Sequence, residues 1–221
     1  MSIENHYEPP YKRDPEGLAP WLSVWVRTRE TIRQFLDSSN PASNMIVIAL
    51  LAGIVNALNQ ASSKGYLDDS SIGALIFVVI AGGMIGGLVS LYFLSFILKW
   101  TGSWLGGAGT SAELRVAVTR GINVPVIMVG ILWIPELLLF GQELFTTEMP
   151  RVDASPILTG LYYFFLGIEV ILSVWSIIIA LKAIGEAHRF SAWKALWSVI
   201  IPGIILVFII CIIMIIASVA T

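Results

Sequence analysis

Two glutamates, Glu136 and Glu169, lie in strongly apolar sequence, the first within WIPELLLF at residues 133–140 and the second between Ile168 and Val170. An ionised carboxylate in hydrocarbon is costly, so each group needs a partner, a bound proton or access to water. Our first expectation is that both are protonated and hydrogen-bonded to neighbouring helices. The alternative is a proton-coupled or cation site in a transport pathway.

The chain offers these carboxylates no cationic partner, because no Lys, Arg or His lies deep in any apolar segment. The remaining candidates are neutral polar side chains and the carbonyl of Ile131, which Pro135 leaves without its usual donor. At about 1.5 Å per residue, Glu136 should lie about 9 Å below the outer end of its helix and Glu169 about 18 Å. We therefore expect the two carboxylates at different depths.

Catalytic signatures are missing from the sequence. It contains no H-E-x-x-H or G-x-S-x-G motif, and its two histidines and one cysteine cannot form a typical metal centre. We predict no enzymatic activity, no catalytic residues, no cofactor and no metal. The expected partners are membrane lipid and an unidentified protein, with a homo-oligomer as an alternative and no nucleic acid.

The composition is that of a membrane protein, with 57% hydrophobic and 13% charged residues, whereas soluble domains are about one quarter charged. We predict an all-α integral membrane protein with a disordered tail at 1–19, an amphipathic interfacial helix at 20–38 and a five-helix domain at 39–221. A bilayer needs about 20 apolar residues per helix. The segments of that length are about 45–62, 72–98, 122–142, 157–181 and 196–219.

The basic residues predict the orientation of these spans. If all five segments cross the membrane, eleven of the thirteen Lys and Arg residues fall on one side, and only Lys64 and Arg151 fall on the other. Cytoplasmic flanks carry the excess of positive charge. We therefore expect a multi-pass cell-membrane protein with a cytoplasmic N-terminus and an external C-terminus.

The segment at 20–38 has a helical apolar period, at positions Trp21, Val24, Trp25, Thr28, Ile32 and Phe35. Tryptophan suits the membrane interface and arginine suits anionic headgroups. We expect Trp21, Trp25, Arg29 and Arg33 to contact lipid. A helix packed on the cytoplasmic loops of the protein itself is an equal and compatible alternative.

The second span contains four glycines at small-xxx-small spacing, Gly82 with Gly86 and Gly83 with Gly87. Glycine lowers helix propensity, so close approach of another helix is the expected reason for the cluster. We expect packing within the monomer, with a homodimer interface as the alternative.

The loop before the third span contains a T-x-x-E capping box, Thr110 and Glu113, which predicts that a helix starts there. The glycine turn before it is expected to be a flexible connector, with anion binding as the alternative. We interpret His188 as a surface histidine. Glu113, Arg115 and Arg189 are the candidate residues for a cytoplasmic partner surface.

Three stretches together resemble the Yip domain family of Ypt/Rab-interacting, five-span membrane proteins, and more closely its prokaryotic branch. They are WLSVWVRTRETIR, LGGAGTSAELRVAVTRGINVP and IEVILSVWSIIIALKAIGEAHRFSAWKAL, and the resemblance covers about residues 18–219. It implies five helices and a cytoplasmic N-terminus. Thr28 replaces a proline common in the family before Arg29, and the DLYGP motif of the eukaryotic branch is absent, so Rab binding is not implied.

Two functions follow from these observations. The first is a non-enzymatic membrane-organising or adaptor protein that binds lipid and a protein partner at its cytoplasmic face. The second is a small transporter or lipid-translocating protein with Glu136 and Glu169 in its pathway. A polar groove between the third and fourth spans would favour the second function, and a dry, packed bundle would favour the first.

Overall fold

The structure, a computed structural model, describes residues 20–220, and this part of the chain forms helices and turns without any β-strand. The helices are α1 (Pro20–Val26), α2 (Thr28–Leu36), α3 (Met45–Ser63), α4 (Ile72–Trp104), α5 (Ser111–Phe145), α6 (Pro150–Asp153), α7 (Pro156–His188) and α8 (Ala192–Ala220). The tail predicted at 1–19 lies outside the described residues.

Five of these helices, α3, α4, α5, α7 and α8, are long and apolar enough to cross a membrane. The predicted all-α class with five spans is therefore confirmed. Thr110 accepts a hydrogen bond from the Glu113 amide, and the Glu113 carboxylate accepts one from the Thr110 amide, so the capping box forms. It starts a helix that continues without a loop into the third span.

Helix α5 departs from regular α-geometry twice before its end. A π-turn at Thr119–Asn123 precedes Pro125, and a 3-10 turn at Gly130–Leu132 precedes Pro135. Proline removes one backbone donor and crowds the preceding turn, so a helix that contains proline adjusts its hydrogen bonding nearby. These adjustments change the position of every side chain that follows them in α5.

Helices α3 and α4 cross where Gly53 of α3 meets Gly83 and Gly87 of α4. A β-carbon at Gly83 would lie 2.9 Å from the Gly53 carbonyl oxygen, and one at Gly87 would lie 2.9 Å from the Gly53 α-carbon. A side chain at either position would therefore hold the two backbones apart. A β-carbon at Gly86 would meet nothing within 4 Å, and one at Gly82 would meet only Val78. The structure thus places two of the four glycines at the crossing and two beside it.

Two short helices, α1 and α2, occupy the region predicted as one amphipathic helix. They meet at Arg27, whose backbone leaves the helical conformation (φ −126°, ψ 49°) although no proline precedes Arg29. Val24 and Ile32 are fully buried, and Ile32 belongs to the same buried cluster as Leu114 of α5 and Ala183 of α7. The apolar face of this segment therefore covers the protein's own helices.

The last helix, α8, is surrounded differently. Its first turns lie against α4 and α7, whereas its side chains from 203 to 216 are exposed and almost all apolar. Exposed aliphatic surface of this length suits the hydrocarbon of a bilayer.

Candidate functional site

Glu136 and Glu169 line one cavity of about 330 Å³ between α3, α5 and α7. Counting residues from the helix ends predicts different depths for the two carboxylates, and in the structure both of them line this one cavity. The other residues that line this cavity are Asn59, Ser62, Ser63, Val129, Trp133, Leu144, Tyr162, Leu166 and Ser173.

Glu136 is the more deeply buried of the two glutamates, with 6% of its surface exposed, while Glu169 is partly buried. Within residues 20–220, neither carboxylate has a hydrogen bond or an ion pair to another residue. The expected hydrogen bonds to neighbouring helices are therefore not seen. A buried carboxylate without a protein partner has access only to what enters the cavity.

The aromatic side chains that line this cavity are held in place by a hydrogen bond and by contacts with other rings. The indole Nε1 of Trp133 donates a hydrogen bond to Asn59 Oδ1 at 2.8 Å, and its ring stacks on Phe145 with centroids 5.5 Å apart. Phe140 meets Tyr162 edge to face at 5.8 Å. The side chains around Glu136 are therefore fixed by contacts on both α3 and α7.

A second cavity of about 330 Å³ adjoins the first and shares Asn59, Val129 and Ser173 with it. It continues along the same three helices toward Ile122 and Ala180. We call the two cavities together the α3–α5–α7 groove. The groove begins beside Ser62 and Ser63 at the end of α3 and reaches the opposite half of the bundle, so its polar groups follow much of the span.

The groove also reaches the surface of the bundle. Two of its lining residues on α7, Leu166 and Ile177, are 41% and 58% exposed. Both are aliphatic, and their exposed parts would face hydrocarbon in a membrane. The groove thus contains polar side chains among apolar ones inside and has an apolar rim on α7.

At the other end of the bundle, Glu186 of α7 anchors α2. Its Oε2 lies 3.1 Å from Arg29 Nη1, and its Oε1 lies 2.7 Å from Arg33 Nη2. Arg29 and Arg33 lie four residues apart and so share one helix face. Both arginines, which the sequence analysis assigned to lipid, thus pair with a carboxylate that it did not single out.

Of the two tryptophans of α1, Trp25 packs against other helices and Trp21 lies at the surface. Trp25 is partly buried, and its Nε1 points at Met128 Sδ at 2.9 Å, while its carbonyl accepts a hydrogen bond from Trp175 at 3.0 Å. Trp21 is 38% exposed, and the neighbouring Leu22 and Val26 are exposed further. The outer face of α1 is therefore apolar.

The residues proposed for the cytoplasmic surface do not form one group. Glu113 Oε1 pairs with Arg189 Nη2 at 3.2 Å, which joins the start of α5 to the end of α7. Arg115 instead lies over the Tyr92 ring of α4, with 5.6 Å between its Cζ and the ring centroid. The structure brings Glu113 and Arg189 together and leaves Arg115 in a separate place.

The interpretation of His188 as a surface residue is wrong, because its side chain is 1% exposed. Its Nδ1 accepts a hydrogen bond from the Gly109 amide at 3.3 Å, and its Nε2 lies 3.0 Å from the Leu98 carbonyl oxygen. Since Nδ1 accepts, Nε2 carries the proton. β-Carbons at Gly102 or Gly107 would overlap the imidazole, so the glycine-rich loop is shaped around this ring.

Arg120 in the π-turn of α5 is a further buried cation, with 7% of its surface exposed. Its Nη2 donates to the Ser43 carbonyl at 2.7 Å, and its Cζ lies 4.0 Å from the Phe35 ring centroid. The contact ties the linker before α3 to the third span. In the sequence, Arg120 is recognisable only as one of the basic residues that predict the topology.

Five apolar helices, an amphipathic N-terminal segment held at one end and a polar groove define the class of a polytopic α-helical membrane protein. Within that class, the chain matches the model of the Yip1 domain family over residues 22–214 and belongs to this family. No curated protein and no solved structure gives a match.

Proposed function

We propose that the protein moves the headgroup of a membrane lipid along the α3–α5–α7 groove. The observation that carries this proposal is the polar groove between the third and fourth spans, which contains the buried and unpaired Glu136. Such a groove is the feature that distinguishes a translocating protein from a dry, packed bundle. The proposed role is non-enzymatic and requires no covalent step.

The shape of the groove favours a lipid over a soluble substrate. Moving an unpaired polar or charged group into hydrocarbon costs several kcal/mol, which is the barrier to lipid exchange between leaflets. Asn59, Glu169 and Ser173 provide polar contacts at successive positions along the groove. Because Leu166 and Ile177 are exposed at its rim, the acyl chains can stay in the bilayer while the headgroup lies inside.

The test is lipid exchange in vesicles that contain the purified full-length chain and a trace of lipid with a fluorescent headgroup label. Dithionite added outside destroys only the label that reaches the outer leaflet. Wild-type vesicles should lose the inner-leaflet label, and E136Q/E169Q vesicles should lose it more slowly. The matched control is E148Q, because Glu148 is an exposed glutamate outside the groove. Equal rates with wild-type protein and with protein-free vesicles would overturn the proposal.

A membrane-organising or adaptor role is the second candidate, and the surface of the α1 end supports it. Exposed indoles ring this end of the bundle, a position in which tryptophan marks the membrane interface. They are Trp21, Trp100, Trp104, Trp193 and Trp197. In this role Trp21 and Trp25 contact lipid, Arg29 and Arg33 hold α2 in place through Glu186, and Glu113, Arg115 and Arg189 face a cytoplasmic protein.

A photo-crosslinking residue at position 115 tests the adaptor role in native membranes. We expect a discrete protein adduct at this position and none at position 148, which lies at the opposite end of the bundle. Adducts of lipid alone at position 115 would argue against a protein partner there.

A further inference from the structure

The strongest unexplained feature of the molecule is a cavity that two carboxyl groups line and to which the described residues bring no Lys, Arg or His side chain. The two groups belong to Glu136 and Glu169. Glu136 is the more deeply buried, with 6% of its surface exposed, and it has no partner among the described residues. The nearby Arg151 donates to the Leu139 carbonyl, lies beside Glu143 and does not line the cavity. When the two carboxyl groups ionise, a cationic ligand is the partner that can balance their charge.

The cavity wall favours an organic cation over a metal ion. Hard metal ions such as Ca²⁺ take six to eight oxygen ligands, and residues 20–220 contain no group of three or more His, Cys, Asp and Glu side chains placed to hold a metal. Trp133 and Tyr162 line the same cavity as the two carboxylates. Aromatic faces beside carboxylates are the surroundings that attract ammonium groups.

The size of the cavity agrees with a small ligand group. Its volume of about 330 Å³ lies at the lower end of the range for small-molecule pockets, which is about 300–1,000 Å³. Asn59 Oδ1 already accepts the Trp133 indole hydrogen bond, so it fixes one wall of the cavity. Ser173 and Tyr162, which carry hydroxyl groups, also line it.

We propose that the cavity lined by Glu136 and Glu169 is a binding site for an alkylammonium group, which the two carboxylates hold between Trp133 and Tyr162. The ammonium can belong to a lipid headgroup such as phosphoethanolamine or to a soluble amine. This inference deepens the translocation proposal by naming the substrate class, but it concerns binding and does not require that anything crosses the membrane.

Native mass spectrometry of the full-length protein in a saccharide detergent tests the lipid source. The probes are phosphatidylethanolamine and its N-acetylated derivative, which keeps the phosphate and loses the ammonium charge. Wild-type protein should retain the free amine lipid in preference to the acetylated one. Losing charge-assisted hydrogen bonds should weaken retention in E136Q/E169Q roughly tenfold or more, while E148Q should behave as wild type.

Thermal unfolding without added lipid tests the soluble source. Ethanolamine should raise the unfolding temperature of the wild type but not of E136Q/E169Q, and ethylene glycol, its neutral analogue, should raise neither. Stabilisation by ethanolamine without preferential retention of the free amine lipid would assign the site to soluble amines. Preferential retention of that lipid without stabilisation by ethanolamine would assign the site to lipid. If neither assay separates the wild type from the glutamine variants, the proposed site is refuted.

Two further measurements keep the outcome decisive. If the double variant fails to elute as folded protein, E169Q alone carries the test, because Glu169 is only partly buried. The vesicle exchange assay uses the same variants. Loss of amine binding with unchanged lipid exchange would overturn the ammonium site alone, whereas intact binding without any exchange would overturn the translocation proposal alone.

Discussion

Buried charge is handled differently at the two ends of the bundle. Near α1, Glu186 meets two guanidinium groups, at 3.1 Å and 2.7 Å, and the buried His188 has a hydrogen-bonding group beside each ring nitrogen. In the α3–α5–α7 groove, Glu136 is buried to a similar degree and has no such partner among the described residues.

The contrast separates charge that holds the fold from charge available to a ligand. A paired buried carboxylate becomes strongly destabilising only when its partner is removed. An unpaired one already costs free energy in the native protein, and sites of this kind are found where function requires them. The difference therefore predicts opposite responses to the same substitution at the two ends of the molecule.

The largest expected effect is the all-or-none labelling of the two ends from outside the cell. On a Cys211→Ser background, cysteines at the exposed positions Ser63 and Glu148 should react with an impermeant maleimide in intact cells. A cysteine at Ser103, also exposed, should react only after the cells are opened, because the basic flanks predict a cytoplasmic location. Labelling of Ser103 in intact cells would reverse the orientation proposed for the protein.

The packing around His188 should give the next largest change. In Gly102→Ala the added methyl group would overlap the imidazole ring of His188. Overpacking of this kind lowers the free energy of unfolding by about 1–3 kcal/mol. We expect a lower unfolding temperature in detergent. Gly160→Ala is the matched control, since its β-carbon would meet nothing within 4 Å and alanine favours a helix over glycine by about 0.5–1 kcal/mol. Equal shifts for both variants would contradict close packing of Gly102 against His188.

Breaking the ion pairs of α2 should have a moderate effect. Glu186→Gln keeps the size of the side chain but removes its charge, and we expect a loss of about 1–2 kcal/mol, less than for a fully buried pair because both arginines are partly exposed. Protease cleavage between α1 and α3 should become faster. Unchanged cleavage would show that apolar packing of Ile32 alone holds α2.

The smallest change in stability is expected in the groove. Glu136→Gln and Glu169→Gln break no ion pair or hydrogen bond to another described residue, so the free energy of unfolding should change by less than about 1 kcal/mol. Thermal unfolding of these two variants and of Glu186→Gln, measured under the same conditions, compares their changes in stability. A larger loss in the groove variants than in Glu186→Gln would assign Glu136 and Glu169 to structure.

The parts of the molecule that follow from local pattern could be predicted. The five spans depend on runs of apolar residues of about the length that a bilayer requires. The start of α5 depends on the capping box of Thr110 and Glu113, whose hydrogen bonds lie within four consecutive residues. Such features are properties of a single helix, so the sequence specifies them directly.

Contacts between distant segments were decided only by the tertiary structure. Arg29 and Glu186 are 157 positions apart, and no periodicity in either segment indicates that they meet. The buried position of His188 depends on three glycines of α4 and its following loop, which look like a flexible connector when read alone. Glu136 and Glu169 share a cavity through the way in which three helices pack, including the irregular turns of α5, and residue counts along ideal helices carry no information about that packing.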